Sequence, residues 1–139
     1  MPFAPSMRQD VVFCGHLPAL KDELTAEENL AALVALAGAP VEPAHVRHAL
    51  ATVAPRPAGE PPARVLSQGQ RRRLGLARLT VMRRWLWLLD EPATALDADG
   101  IALLTRLITD HLERGGFAVA ATHQALALPT ARVRTLALS

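Results

Sequence analysis

Two adjacent carboxylates, Asp90 and Glu91, stand at the end of the apolar run Trp85 to Leu89, and Pro92 follows them. Acids at a strand end can divide the work of hydrolysis: one holds a hydrated magnesium ion, and its neighbour orients or deprotonates the attacking water. The plainer reading is a pair of solvated carboxylates where a buried strand meets water. A histidine, His123, closes the next apolar run, Phe117 to Ala121. It is placed to donate a hydrogen bond to a phosphate, or simply to end a strand.

A second chemical candidate precedes the acids. Ser67 is a favoured N-cap residue and Gln70 stands three positions later, so the two can satisfy each other's orphan backbone donors and start a helix at Gln68. Gly69 lies in the first turn. A glycine there lets an anion approach bare N–H groups at the positive end of the helix dipole, although a plain capped helix has the same pattern. Arg71, Arg72 and Arg73 fan around the helix, so most of them are expected to face solvent.

The elements that must carry these residues can be read in order. Met1 to Asp10 has no periodicity and is expected to be irregular. Val11 to Cys14 predicts a short buried strand, broken by Gly15, His16, Leu17 and Pro18. Cys14 reads as a buried core thiol, and His16 as a turn histidine whose ordinary pKa near neutrality would make any polar contact pH-sensitive. Thr25 and Glu28 form another capping box, opening a helix that should run to about Ala37 and stop at Gly38 and Pro40. A shorter helix is expected over Pro43 to Val53, with His45 and His48 on one solvated face. Residues 54–65, rich in proline, read as an extended connector.

The run Trp85 to Leu89 lacks alternation, as expected of a central parallel strand covered on both faces. Beyond Asp97, the spacing of Ile101, Leu104, Leu107, Ile108 and Leu112 predicts an amphipathic helix over 98–113, ended by Gly115 and Gly116. Strand, helix and strand make a βαβ unit, which crosses over right-handed and sets its strands parallel. Asp90, Glu91 and His123 must then emerge at one edge of one sheet, where open α/β sheets bind ligands. Residues 132–138 alternate weakly and suggest a last edge strand or short helix.

Composition narrows the class. The chain has 139 residues, 11 prolines and a net charge of +2, with 14 of its 15 basic residues arginine. These arginines are scattered and not interleaved with aromatics, which argues against nucleic acid as a partner. One cysteine excludes an internal disulfide framework and fits a reducing compartment. No apolar run reaches the roughly eighteen residues of a membrane span, and neither a leader nor an internal repeat is evident.

Taken together, Leu66 to Gln70, Leu86 to Glu91, Ala95 to Asp97 and His123 resemble the nucleotide-binding subunits of ATP-binding cassette transporters. Leu66–Gln70 is similar to the LSGGQ signature with Gln68 replacing the first glycine. Leu86–Glu91 resembles the Walker B strand with its catalytic glutamate, Ala95–Asp97 the D-loop, and His123 the switch histidine. The wording GHLPALKDELTAEENL, LSQGQRRRLGLARL, LLDEPATALD and ATHQ is most similar to the haem-exporter branch that serves cytochrome c maturation. The likeness covers nearly the whole chain from about Val11.

That resemblance implies an α/β fold: a partial P-loop NTPase parallel sheet with an inserted α-helical subdomain. It divides the chain into a partial ATPase core, residues 1–17 and 82–139, and a helical subdomain, residues 18–81, which leans on a membrane partner in the family. ATP and Mg2+ are the implied cofactors. Glu91 and His123 would be catalytic, Asp90 would organise the metal, and Ser67, Gln68, Gly69, Gln70 and Asp97 would serve nucleotide held across a dimer. His16 stands at or beside the place of the glutamine that in the family touches magnesium and the attacking water, and would count among the cofactor-binding residues. The implied partners are a second nucleotide-binding subunit and the transmembrane subunits of a haem exporter, at the cytoplasmic face of the inner membrane.

The family's phosphate-cradling loop, Gly-x-x-x-x-Gly-Lys-Ser/Thr, does not occur, and the only lysine, Lys21, follows no glycine-rich loop. Without that cradle the isolated chain is expected to bind ATP poorly and turn over little. The sequence looks like the carboxyl-terminal part of a split, truncated or mis-started gene. Two alternatives follow: a non-enzymatic fragment supplying signature and dimer surface to an intact partner, and a soluble cassette ATPase acting on nucleic acid or ribosomes.

Overall fold

The computed structural model describes residues 10–15, 20–53, 62–124, 126–129 and 133–136. Three strands, β1 (Val11–Cys14), β2 (Leu86–Asp90) and β3 (Phe117–Ala121), form a sheet in the order β1-β2-β3. Both pairings are parallel, with Val12, Trp87 and Ala118 in one row and Phe13, Leu88 and Val119 in the next. The expected βαβ pairing of β2 with β3 is therefore present.

Among the described residues four helices accompany the sheet: α1 (Ala26–Leu36), α2 (Pro43–Val53), α3 (Gln68–Met82) and α4 (Ala98–Glu113). Local chemistry sets their starts. Thr25 accepts from the Glu28 N–H at 3.1 Å and Glu28 accepts from the Thr25 N–H at 3.0 Å, the expected capping box. α1 ends at Leu36 with Ala37 as its cap, and Gly38 follows at φ +77°, a left-handed conformation glycine adopts at little cost. Buried Asn29 ties the preceding turn to α1: its amide donates to the carbonyls of Lys21, Leu24 and Thr25, and its oxygen accepts from the Lys21 N–H.

α3 is the packing centre, touching α1, α2, β1 and α4. One core cluster joins the strands and helices, and Leu30, Leu76, Leu79 and Leu104 lie fully inside it. Each such leucine contributes about 1.5–3 kcal/mol relative to exposure. His111, near the end of α4, is buried with its ring stacked on Trp87 at 3.8 Å, and its Nε2 lies 3.0 Å from the carbonyls of Trp85 and Phe117.

Several expectations need correction. Trp85 lies outside β2 and is exposed, its ring 5.4 Å from that of Phe117. β2 is central but covered on one face only: Val12, Cys14, Trp87 and Leu89 are buried, whereas Phe13, Phe117 and Val119 on the other face are 58–59% exposed. Arg72 is buried, not solvated. In the expected connector, Ala63–Val65 forms a 3-10 turn and Pro62 bridges to Thr25, while residues 54–61 lie outside the described residues. Residues 133–136 belong to neither helix nor strand; the rest of the expected tail element, and most of the irregular N-terminal stretch, also lie outside the described residues.

Candidate functional site

The carboxyl ends of β2 and β3 build one rim. Asp90 pairs with Ala121 in the ladder, and the Glu91 N–H donates to the Ala121 carbonyl at 2.7 Å, extending the pairing one residue past the strand. Glu91 then turns at φ +48°, an unusual conformation for a side chain larger than glycine. Its carboxylate Oε1 lies 3.1 Å from His123 Nε2, with Glu91 23% and His123 92% exposed. The crossover topology thus brings together the two residues expected to be catalytic. Asp90, the expected metal ligand, is half-buried one residue earlier.

The strained backbone continues. Pro92 and Ala93 are buried, two turns follow in which Thr94 N–H donates to Glu91 and Leu96 N–H to Ala93, and Ala95 sits at φ +66°. Non-glycine residues at positive φ cost on the order of 1–3 kcal/mol each, and they persist only where surrounding contacts hold them.

Those contacts come from the first turns of α3. Ser67 Oγ accepts from the Gln70 N–H at 3.1 Å, and Gln70 Oε1 accepts from the Ser67 N–H at 2.8 Å, so the expected capping box is formed. Ser67, Gln68 and Gln70 are exposed, and Gly69 is half-buried. A Cβ on Gly69 would come within 3.1 Å of the Ala95 carbonyl, tighter than an ordinary contact, so α3 approaches this loop closely and a side chain there would press on its backbone. Arg73 pairs with Asp97 at 2.9 Å. Asp97 also caps α4 by accepting from the Gly100 N–H at 2.8 Å. That N–H donation, then the Arg73 guanidinium, hold its carboxyl below the usual aspartate range.

Beneath the rim lies a side chain that sequence reasoning missed. Arg72 is 3% exposed, and its guanidinium donates to the carbonyls of Gly15 at 2.6 Å, Asp90 at 3.2 Å, Glu91 at 2.6 Å and Pro92 at 3.3 Å. A signal was available: Arg72 shares helical spacing with Gly75, Leu76 and Leu79, all buried. The same core contains Cys14, whose thiol pKa is pushed up by burial against the opposing pull of Arg78 and Arg72. It reads as a packed side chain.

His16 lies outside the described residues. Among the described residues no group of three or more His, Cys, Asp or Glu could hold a metal ion. His45 is exposed, 3.9 Å from Glu42, on a solvated helix face. Among the described residues no helix is long and apolar enough to cross a membrane.

Comparison with known proteins gives this geometry a context. Residues 3–94 match the family model described as ABC transporter. The chain is 45% identical over 132 residues to the cytochrome c biogenesis ATP-binding export protein CcmA of Nitrosomonas europaea, covering 95% of this chain and 62% of that protein. It is 47% identical over 129 residues to the protein of the same name from Rhodopseudomonas palustris, covering 93% and 64%. The chain therefore spans less than two thirds of the length of either relative. Among solved structures, a dimeric ATP-binding cassette in a post-hydrolysis state, bound to ADP and phosphate, aligns with a TM-score of 0.73. That alignment covers 84% of this chain and 53% of that one at 22% identity, a likeness of fold.

Proposed function

The chain belongs to the ABC transporter family, and from that premise we propose that it is the signature- and acid-bearing portion of an ATP-hydrolysing export subunit serving cytochrome c biogenesis. The observation that carries this reading is the meeting of Glu91 and His123 at 3.1 Å on the rim shared by β2 and β3. Glu91 activates the attacking water, and His123 holds Glu91 and the terminal phosphate in line. Asp90 organises the magnesium ion, which supplies charge neutralisation when bound. The first turn of α3 offers its N–H groups to a phosphate held by a second nucleotide-binding subunit. His16 belongs to this reading as a contact to water beside the metal.

The phosphate-cradling loop is absent from this sequence, so another segment must supply it. The apolar sheet face at Phe13, Phe117 and Val119 is the surface on which that segment packs, because a parallel sheet is stable with both faces covered. Taken alone, the chain then contributes signature and dimer surface and hydrolyses little ATP. In the assembled machine it works peripherally at the cytoplasmic face of the membrane. Helices α1 and α2 face the transmembrane subunits, and haem is the cargo implied by the resemblance to haem exporters.

The test is magnesium-dependent ATP hydrolysis by the chain, alone and co-expressed with the segment of the Rhodopseudomonas palustris relative that it does not match. Hydrolysis is expected to appear on co-expression, and to fall by about 100-fold or more in Glu91→Gln, the scale of a lost general base. Undiminished hydrolysis by Glu91→Gln would overturn the assignment.

A further inference from the structure

The buried guanidinium under the rim has no part in water activation or phosphate binding as described above, yet it touches the backbone of every residue from Asp90 to Pro92. We propose that Arg72 is a positioning residue that sets the direction of the Glu91 carboxylate and couples it mechanically to the start of α3. This deepens the reading of the site as an ATPase rim, and rests on it.

Where a strand ends and the chain turns, carbonyls lose their ladder partners, and a buried carbonyl left unpaired is costly. Here the carbonyls of Asp90, Glu91 and Pro92, together with that of Gly15 just past β1, converge on one side chain. A guanidinium is suited to this because its five N–H donors lie in a fixed plane. An ammonium group is a point donor, and a neutral amide has two N–H groups. The Glu91 carbonyl is the most tightly held of the three rim carbonyls, at 2.6 Å, and Glu91 is the residue at φ +48°. Fixing that carbonyl fixes the peptide plane following Glu91, and so sustains the conformation from which its side chain reaches His123.

The same side chain leaves α3 two residues after the Ser67–Gln70 cap, and α3 also meets the loop through Gly69 against the Ala95 carbonyl and Arg73 against Asp97. Of these three links, Arg72 is the buried one and the one that reaches Glu91 itself. A shift of the α3 start, where a phosphate would bind, is therefore felt at the acid rim.

Native-state amide hydrogen exchange on the full chain, compared between wild type, Arg72→Lys and Arg72→Gln, tests the clamp. In Arg72→Gln the amides of Glu91, Ala93 and Thr94 are expected to exchange about tenfold faster or more, with Leu33 and Val34 in α1 within about twofold of wild type. Arg72→Lys should lie between, and serves as the deciding variant if Arg72→Gln does not fold. Uniform acceleration across the chain, or unchanged exchange at 91–94, would overturn the proposal. With the co-expressed segment, Arg72→Gln should lower kcat about tenfold or more at a KM within about threefold, partly restored in Arg72→Lys; a wild-type kcat would overturn it equally. Failure of the wild-type assembly to hydrolyse ATP would instead sink the ATPase reading, while the exchange pattern still decides the clamp.

Discussion

Glu91 and His123 are carried by different strands, and the carboxylate Oε1 of the first lies 3.1 Å from the imidazole Nε2 of the second. The pairing of Asp90 with Ala121 fixes the register, so each of the two follows its strand end by a residue or two. Because His123 is 92% exposed, solvent screens the pair, and exposed pairs contribute about 0–1 kcal/mol to stability.

A first prediction separates chemistry from stability at this pair. His123→Ala should leave the urea midpoint nearly unchanged, within about 0.5 kcal/mol of wild type, because surface substitutions rarely do more. ATP hydrolysis in the co-expressed assembly should nevertheless fall by about 100-fold or more, as expected when a group that aligns the reacting atoms is removed. Equal losses of stability and turnover would reduce His123 to a strand-end residue.

Much of the fold and of this rim was legible because the rules that make them are local or topological. Thr25 with Glu28, and Ser67 with Gln70, are capping pairs written within four residues, and both form. The parallel placement of β2 and β3 follows from strand, helix and strand at that length. What escaped depends on tertiary packing. The run Trp85 to Leu89 has the composition of a strand covered on both faces, yet Trp85 falls outside β2, and Leu86 and Leu88 are only half-buried. Arg72 was hidden among three consecutive arginines, and its burial shows only against the helix's own apolar spacing. The positive φ values of Glu91 and Ala95 carry no glycine to announce them.

A second prediction concerns pH. The Asp97 carboxyl has a folded-state pKa below its ordinary 3.8, chiefly through the Gly100 N–H and then through Arg73. A depressed carboxylate contributes stability that is fully present above the unfolded value and is lost as pH falls through the folded one. Urea midpoints measured from about pH 6 down to about pH 2 should therefore fall less steeply in Asp97→Asn, which keeps an acceptor for the cap but does not titrate. Glu28, lowered by the Thr25 N–H and hydroxyl, contributes in the same sense and remains in both proteins. An identical acid limb in the two proteins would remove Asp97 from the account.

A third prediction lies away from the rim, where the chain turns from α4 into β3. A Cβ placed on Gly116 would fall far inside contact distance of the His111 ring. The ring cannot yield easily, because it is stacked on Trp87 and its Nε2 is held between the Trp85 and Phe117 carbonyls. Gly116→Ala should thus destabilise the chain by about 1–3 kcal/mol, the usual cost of overpacking. His111→Ala should also destabilise, by leaving a cavity beside Trp87. The double variant should be more stable than the two losses added together, since removing the ring removes the clash, and residues in contact couple by about 0.5–3 kcal/mol. A double-mutant cycle by urea denaturation measures this directly, and strict additivity would mean that the glycine is not there for the histidine.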